Sequence, residues 1–147
     1  SELDALIPCY QFDLIQAPFN LVDQRLLTSG WLQRLKDCNV EIHTRSAFLQ
    51  GLLLMPYAEI PAKFHRWNNL WGRWHKWLSK YEVDAVHACI TYVLSFPEID
   101  RIIVGADTLE QLQSIIFLSK NKLAYPIPKL SCSDDNLINP ANWSMLQ

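Results

Sequence analysis

The chain has no cluster of basic residues, no long hydrophobic run and no closely spaced cysteines, and each absence removes a class of function. Lysine and arginine total 13 against 15 aspartates and glutamates, a net charge of −2 with the two signs interspersed. Nucleic acid and anionic membrane are therefore not expected partners. The apolar run from Leu52 to Tyr57 falls far short of the ~20 residues a membrane span needs, so no membrane is expected. The opening Ser1-Glu2-Leu3-Asp4 has neither the basic nor the apolar region of a signal peptide. Cys9, Cys38, Cys89 and Cys132 show no CxxC and no Cys/His pair at ligand spacing. An even count is compatible with disulfides. In a chain that is 50% hydrophobic, four isolated thiols read better as reduced, cytoplasmic and mostly core. His65, His75 and His87 do not converge by spacing, so no metal site is expected.

What is present is enough apolar content for one domain with a real core. Glu2 to Pro8 reads as the end of a helix, and Phe12 to Gln16 as a short strand ended by Pro18. Val22 to Asn39 carries Leu26, Leu27, Trp31, Leu32 and Leu35 at helical spacing, with Gly30 marking two pieces. Val40 to Arg45 alternates apolar and polar as a strand does. A loop with Pro56 and Pro61 follows, its apolar Met55, Pro56, Tyr57 and Ile60 suggesting a hydrophobic lid at most. Helices are expected over Lys63–Tyr81 and Val83–Phe96, a buried strand over Arg101–Val104, and a helix over Asp107–Lys120 capped by Thr108 or Asp107. The tail from Ala124 bears prolines and little periodicity.

Strand, helix, strand, helix pair, strand, helix is the order of an α/β fold with parallel strands and right-handed crossovers. Three parallel strands leave two bare edges, so the chain reads as part of a larger α/β domain. Ligands gather at the carboxyl ends of such strands. The stretch from Val40 to Gly51, where an alternating strand breaks into Ser46, Gln50 and Gly51, is where chemistry is sought first.

Three stretches carry a resemblance: Gln16-Ala17-Pro18-Phe19-Asn20, then Arg45-Ser46-Ala47-Phe48-Leu49-Gln50-Gly51, then Val104-Gly105-Ala106-Asp107-Thr108-Leu109-Glu110-Gln111-Leu112. They resemble successive signatures of the aldo-keto reductases, in that family's order and at about its spacing. The resemblance runs from Leu3 to Trp143 and implies a partial (β/α)8 TIM barrel, with residues 1–147 as the C-terminal portion of one barrel domain. The strands here would be the sixth, seventh and eighth. The chain opens inside a helix without Met, while its tail closes much as some members close. A chain of this kind, isolated, is not expected to be a stable monomer.

The family moves a hydride between a nicotinamide dinucleotide, NADP or NAD, and a small-molecule carbonyl or alcohol. Its catalytic Asp, Tyr, Lys and His belong to early strands, so the resemblance assigns no catalytic role to any residue here. It implies cofactor-binding roles for Gln16, Arg45, Ser46, Phe48, Gln50, Gly51, Gly105, Asp107 and Gln111. Gln16 matches a glutamine that hydrogen-bonds the nicotinamide carboxamide, and Asn20 a polar position just beyond it. Arg45 stands where a tyrosine usually stacks on the nicotinamide ring. A guanidinium plane also stacks but repels an oxidised, cationic ring. Ser46 through Gln50 match the loop lining the pyrophosphate, and Gly51 permits close backbone approach. Gln111 matches a position near the adenine ribose. Asp107 departs from the basic residues that often pair with a 2′-phosphate, so NAD(H) is expected to be tolerated at least as well as NADP(H).

Each of these residues has a plainer reading. Gln16 also reads as a polar strand end, Arg45 as a partner for a neighbouring loop, Ser46 and Gly51 as turn formers, and Asp107 as a helix cap. His43 reads as packed and hydrogen-bonded. Trp67, Trp71, Trp74 and Trp77 fall on one helical face, which reads as core or as a self-association surface. Two functions from different classes stand side by side: the cofactor-binding part of an oxidoreductase, and a catalytically inactive fragment acting as an interaction or oligomerisation module.

Overall fold

The computed structural model describes residues 2–146. Three parallel strands, β1 (Leu14–Pro18), β2 (Glu41–Arg45) and β3 (Arg101–Ile102), lie side by side in that order. The register pairs Gln16 with His43, Pro18 with Arg45, and His43 with Arg101. Alternation then sorts the side chains. Ile15, Ala17, Ile42 and Ile102 pack with Leu32, Leu35 and Val93 of the covering helices. Leu14, Gln16, Glu41, His43 and Arg45 take the other face, where the Glu41 carboxylate pairs with His43 Nε2 at 2.8 Å and with Arg101 Nε at 3.3 Å. The plainer reading of His43 therefore holds.

Helices α1 (Glu2–Leu6), α2 (Arg25–Thr28) and α3 (Trp31–Asp37) precede β2. Gly30, at φ 77°, divides α2 from α3 as its position in the apolar pattern indicates. Helices α4 (Asn68–Tyr81) and α5 (Ala85–Leu94) connect β2 to β3. Helix α6 (Leu109–Ser119) follows β3, and α7 (Asp135–Ile138) sits in the tail.

The structure corrects several expectations. β3 pairs over two residues rather than four, because β2 turns away at Ser46 (φ 61°) and leaves Val104 nothing to pair with. Ile103, expected buried, is 42% exposed. The aromatic helix begins at Asn68, not Lys63. Residues Ala62–Trp67 form the tighter 3-10 turn that starts with Phe64 N–H donating to Pro61 O at 2.8 Å. In the loop expected as a lid, Leu52, Leu53 and Ile60 are buried in the core, while Met55 is half-buried and Pro56 and Tyr57 are exposed. All four cysteines are free thiols, but Cys9 and Cys38 are exposed and only Cys89 is buried.

The tryptophan stripe is core and not a surface. Trp71 and Trp74 are fully buried and Trp77 nearly so. Each indole N–H donates to a main-chain carbonyl: Trp71 to Phe64 (2.9 Å), Trp74 to Leu53 (3.0 Å) and Trp77 to Pro126 (2.9 Å). The tail covers this face with Leu130, Leu137 and Ile138, all buried, and Trp143 packs edge-on against Phe64 at 4.8 Å. The chain's own C-terminal segment occupies this face.

Candidate functional site

At the carboxyl ends of β2 and β3 the backbone stops being regular. Ser46, Leu49 and Gln50 have φ of 61°, 48° and 54°, and Gly51 follows at 83°. Left-handed conformation in non-glycine residues costs of order 1 kcal/mol or more each and concentrates at functional loops. Burial of Leu49, 1% exposed, offsets part of it.

Asn20 fixes where this loop starts. Fully buried just past β1, it accepts from the amides of Val22 and Asp23, both at 2.8 Å, and donates through Nδ2 to Ser46 O at 2.9 Å. The end of β1 is thereby tied to the first residue of the loop after β2. Asp23, equally buried, is held by a two-pronged pair with Arg25, Nε to Oδ1 at 2.9 Å and Nη2 to Oδ2 at 2.8 Å.

Within the loop, the amides of Leu49, Leu52, Leu53 and Leu54 donate to the carbonyls of Ser46, Leu49, Phe48 and Gly51. Among the described residues, no protein acceptor is taken by the amides of Ala47, Phe48, Gln50 and Gly51. All four residues line a cavity of about 700 Å³. Consecutive backbone N–H groups on such a concave turn suit an anion. Arg45 adds a positive charge at the rim, its Nη1 donating to Ser46 Oγ at 3.3 Å.

Across the cavity stand Ile103, Val104 and Gly105 after β3, then Asp107 just ahead of α6 and Gln111, Ser114 and Ile115 of α6 itself. Thr108 caps α6 by accepting from Gln111 N–H at 3.2 Å, while Gln111 Oε1 accepts from Asp107 N–H at 2.8 Å. The cap is thus Thr108, and Asp107 is the residue before it. Gly105 is not in the left-handed region, and a Cβ there would meet no protein atom within 4 Å. Neither backbone nor packing demands glycine at that position, whereas a side chain would take room from the cavity.

The cavity brings together Arg45, Ser46, Phe48, Gln50, Gly51, Gly105, Asp107 and Gln111, eight of the nine candidates. Gln16 is not among them and lies exposed on the open face of β1, beside His43. Sequence reasoning passed over Ser114 and Ile115, although they follow Gln111 by three and four residues and so share its helix face. Leu54 and Val86 come from separate elements and carry no local signal. A second cavity, about 460 Å³, adjoins the first: Arg45 and Ser46 line both, and Pro18, Asn20, Leu49, Ile138 and Asn139 help complete it.

Comparison with known proteins bears on the fold and the family. The aldo-keto reductase AKR11C1 from Bacillus halodurans, in its apo form, matches with a TM-score of 0.59 at 14% identity, over 86% of this chain and 43% of that one. Its holo form matches with a TM-score of 0.59 at 12% identity, over 99% of this chain and 46% of that one. A glycerol dehydrogenase, AKR11B4 from Gluconobacter oxydans, reaches a TM-score of 0.48 at 15% identity, over 86% and 48%. This chain spans less than half the length of each, and the shared fold is a partial (β/α)8 barrel. No curated protein sequence matches. The sequence profile of the Aldo/keto reductase family matches residues 5–125, and on that match the chain belongs to the aldo/keto reductase family.

Proposed function

We propose that this chain is the cofactor-binding, C-terminal portion of an aldo-keto reductase barrel, contributing its sixth to eighth strands. The whole protein is an oxidoreductase acting on a small-molecule carbonyl or alcohol. The observation that carries this reading is the convergence of two stretches far apart in sequence, Arg45–Gly51 and Gly105–Gln111, on one cavity of about 700 Å³, within the range of cofactor sites.

The residues fit a nicotinamide dinucleotide, NADP or NAD. The unclaimed amides of Ala47, Phe48, Gln50 and Gly51 would hold the pyrophosphate, with Arg45 as counter-charge. Gly51 and Gly105 leave room for close approach, since a Cβ at either would meet no protein atom within 4 Å. Asn20 holds Ser46 in place and so sets the position of the whole loop. Ile103, Val104 and Ile115 exclude water from one wall. When bound, the dinucleotide supplies the hydride donor or acceptor at its nicotinamide ring. The residues of this chain bind and orient, and none is assigned the proton.

The test is calorimetric titration of the full chain with NADH, NADPH and ADP-ribose, alongside Gly105→Val. Saturable binding at one site, tighter than ~1 mM, is expected for at least one of them. Gly105→Val should abolish it while leaving thermal unfolding unchanged. No binding, or equal binding by the variant, refutes the reading.

A second reading, self-association through the sheet edges, is favoured by one observation. Exposed apolar side chains lie on and beside the edge strand β1, Tyr10 (62%) and Leu14 (41%), and on α6, Leu109 (64%) and Phe117 (68%). Light scattering separates the two, because self-association without dinucleotide binding supports the interaction module alone.

A further inference from the structure

Four aromatic rings run in a graded series from the core to solvent, away from both cavities. Trp74, Trp77 and Tyr81 follow one another on α4 at spacings of three and four, so they share a helix face. Tyr125, from the tail, completes the series by stacking on Tyr81. Exposure rises along it: Trp74 is fully buried, Trp77 is 8% exposed, Tyr81 is half-buried and Tyr125 is 44% exposed. Ring centres are 5.9 Å apart for Trp74 and Trp77, whose planes differ by 7°. They are 5.7 Å apart for Trp77 and Tyr81, and 4.4 Å for Tyr81 and Tyr125, whose planes differ by 27°. Packing accounts for the two tryptophans. The phenols differ from them in what their polar atoms do.

Each indole N–H is committed to a main-chain carbonyl, Trp74 to Leu53 at 3.0 Å and Trp77 to Pro126 at 2.9 Å. A carbonyl oxygen accepts a hydrogen bond but is too weak a base to take the proton. An indole that loses an electron here keeps its proton and stays a radical cation in the core. The hydroxyls of Tyr81 and Tyr125 make no hydrogen bond to protein among the described residues. A phenol that is oxidised gives its proton to water, and Tyr125 faces water. Proton release makes Tyr125 the downhill end. The Lys80 ammonium, 4.9 Å from the centre of the Tyr81 ring, repels positive charge on that ring and favours the step on to Tyr125. The Trp77–Pro126 bond lies one residue from Tyr125 and holds the stack in register.

We propose that Trp74, Trp77, Tyr81 and Tyr125 form a one-electron relay, with the Tyr81–Tyr125 stack as its site of oxidative modification. A one-electron oxidant, such as an oxygen-centred radical, takes an electron from Trp74 or Trp77 and is itself reduced. An electron then passes from Tyr125 through Tyr81 and restores the indole. The Tyr125 hydroxyl releases its proton to water, leaving a neutral phenoxyl radical at the surface. A small-molecule thiol repairs it by giving up a hydrogen atom and becoming a thiyl radical. A second oxidation before that repair removes an electron and a proton from Tyr81 as well. The two radicals then join ring carbon to ring carbon, and each carbon's hydrogen moves to its oxygen to re-form the phenol. The crosslink has cost two electrons and two protons, and it fastens the tail to the end of α4.

The test starts the oxidation at tryptophan. The indoles of the full chain are excited at the long-wavelength edge of their absorption, where tyrosine does not absorb, with a cobalt(III) ammine as irreversible electron acceptor. Peptide mass spectrometry and dityrosine fluorescence read the products. Tyr10 (62%) and Tyr57 (48%) serve as internal controls: both are more exposed than Tyr125, and their ring partners are Phe12 and His75, not tryptophan.

The expected product joins the peptides of Tyr81 and Tyr125 within one molecule, lighter by two hydrogens, with Tyr10 and Tyr57 unmodified. Added thiol should suppress it. Tyr81→Phe and Tyr125→Phe keep the rings and break no hydrogen bond to protein, so the fold should stand, as circular dichroism checks. Each variant should lose the crosslink and accumulate oxidised Trp74 and Trp77. Modification of Tyr10 or Tyr57 as readily as Tyr125 overturns the relay, because exposure alone would then decide. Equal tryptophan oxidation in the wild type and both variants overturns it too. A crosslink formed only between molecules overturns the assignment of the stack as the site.

Discussion

Replacing Asn20 with alanine removes three hydrogen bonds from a fully buried position. Ser46 O keeps a second donor, the Leu49 amide at 2.9 Å, so it is not orphaned. The amides of Val22 and Asp23 are, and each unsatisfied buried donor costs ~1–3 kcal/mol. The expected loss is therefore ~2–6 kcal/mol, a large part of the ~5–15 kcal/mol that stabilises a typical domain. Asn20→Asp separates the two jobs of this side chain. It retains an oxygen for both amides but sets an oxygen against the Ser46 carbonyl where a donor stood. At neutral pH it should lose at least as much stability as alanine, because a carboxylate at this fully buried position faces the Ser46 carbonyl, and it should weaken dinucleotide binding because Ser46 begins the left-handed loop. Urea unfolding followed by circular dichroism at constant slope measures the first effect, and calorimetric titration the second. An alanine variant losing under ~1 kcal/mol, or an aspartate variant that binds NADH as wild type does, refutes the reasoning.

Three further perturbations probe other parts of the chain. Trp74→Ala should cost ~3–5 kcal/mol and half-buried Trp67→Ala clearly less, compared by denaturant midpoints; similar losses would mean the stripe is not core in the way its burial indicates. Arg45, placed by resemblance against the nicotinamide ring, should make the reduced dinucleotide bind several-fold tighter than the oxidised, about 1 kcal/mol. Arg45→Tyr should bring the two together, and titrations showing no difference in the wild type would remove Arg45 from the ring. The Asp100 carboxyl is held below the ordinary carboxylate range by the Ile42 amide first and the Lys36 ammonium second. A depressed folded pKa gives stability that is present above the ordinary carboxylate pKa and lost as pH falls through the folded value. Asp100→Asn should thus unfold more easily than wild type at neutral pH and converge with it in acid, and a constant difference across pH would contradict the linkage.

The strands were legible because each announces itself locally. Val40 to Arg45 alternates, and its burial follows that alternation residue by residue. The parallel order followed from the helices between the strands. Ends were less legible, since ends depend on partners: the brevity of β3 is set by the turn at Ser46 just past β2, nearly sixty residues away. The same limit governs the lid expected at Leu52. Its apolar residues were correctly read as apolar, but whether they cover a ligand or join the core depends on α4 and the tail.

The site divides along the same line. The stretches that carry its chemistry are continuous in sequence, so Arg45 to Gly51 and Gly105 to Gln111 could be named in advance and then meet in one cavity. Gln16 has no such loop around it and lies apart on an exposed strand face. Asn20, assigned only a matching position, is the residue that the structure makes decisive, because its importance lies in three partners on two segments. Asp107 shows the converse: a lone carboxylate ahead of a helix reads as a cap, and its meaning changes once Thr108 is seen to do the capping. The Asp107 side chain is then left over, as Gln111's amide group is, at the wall of the cavity. What a helix start has already spent on its own cap determines what it can still offer a ligand, and here the Asp107 and Gln111 amides are spent on Gln111 Oε1 and Thr108 Oγ1.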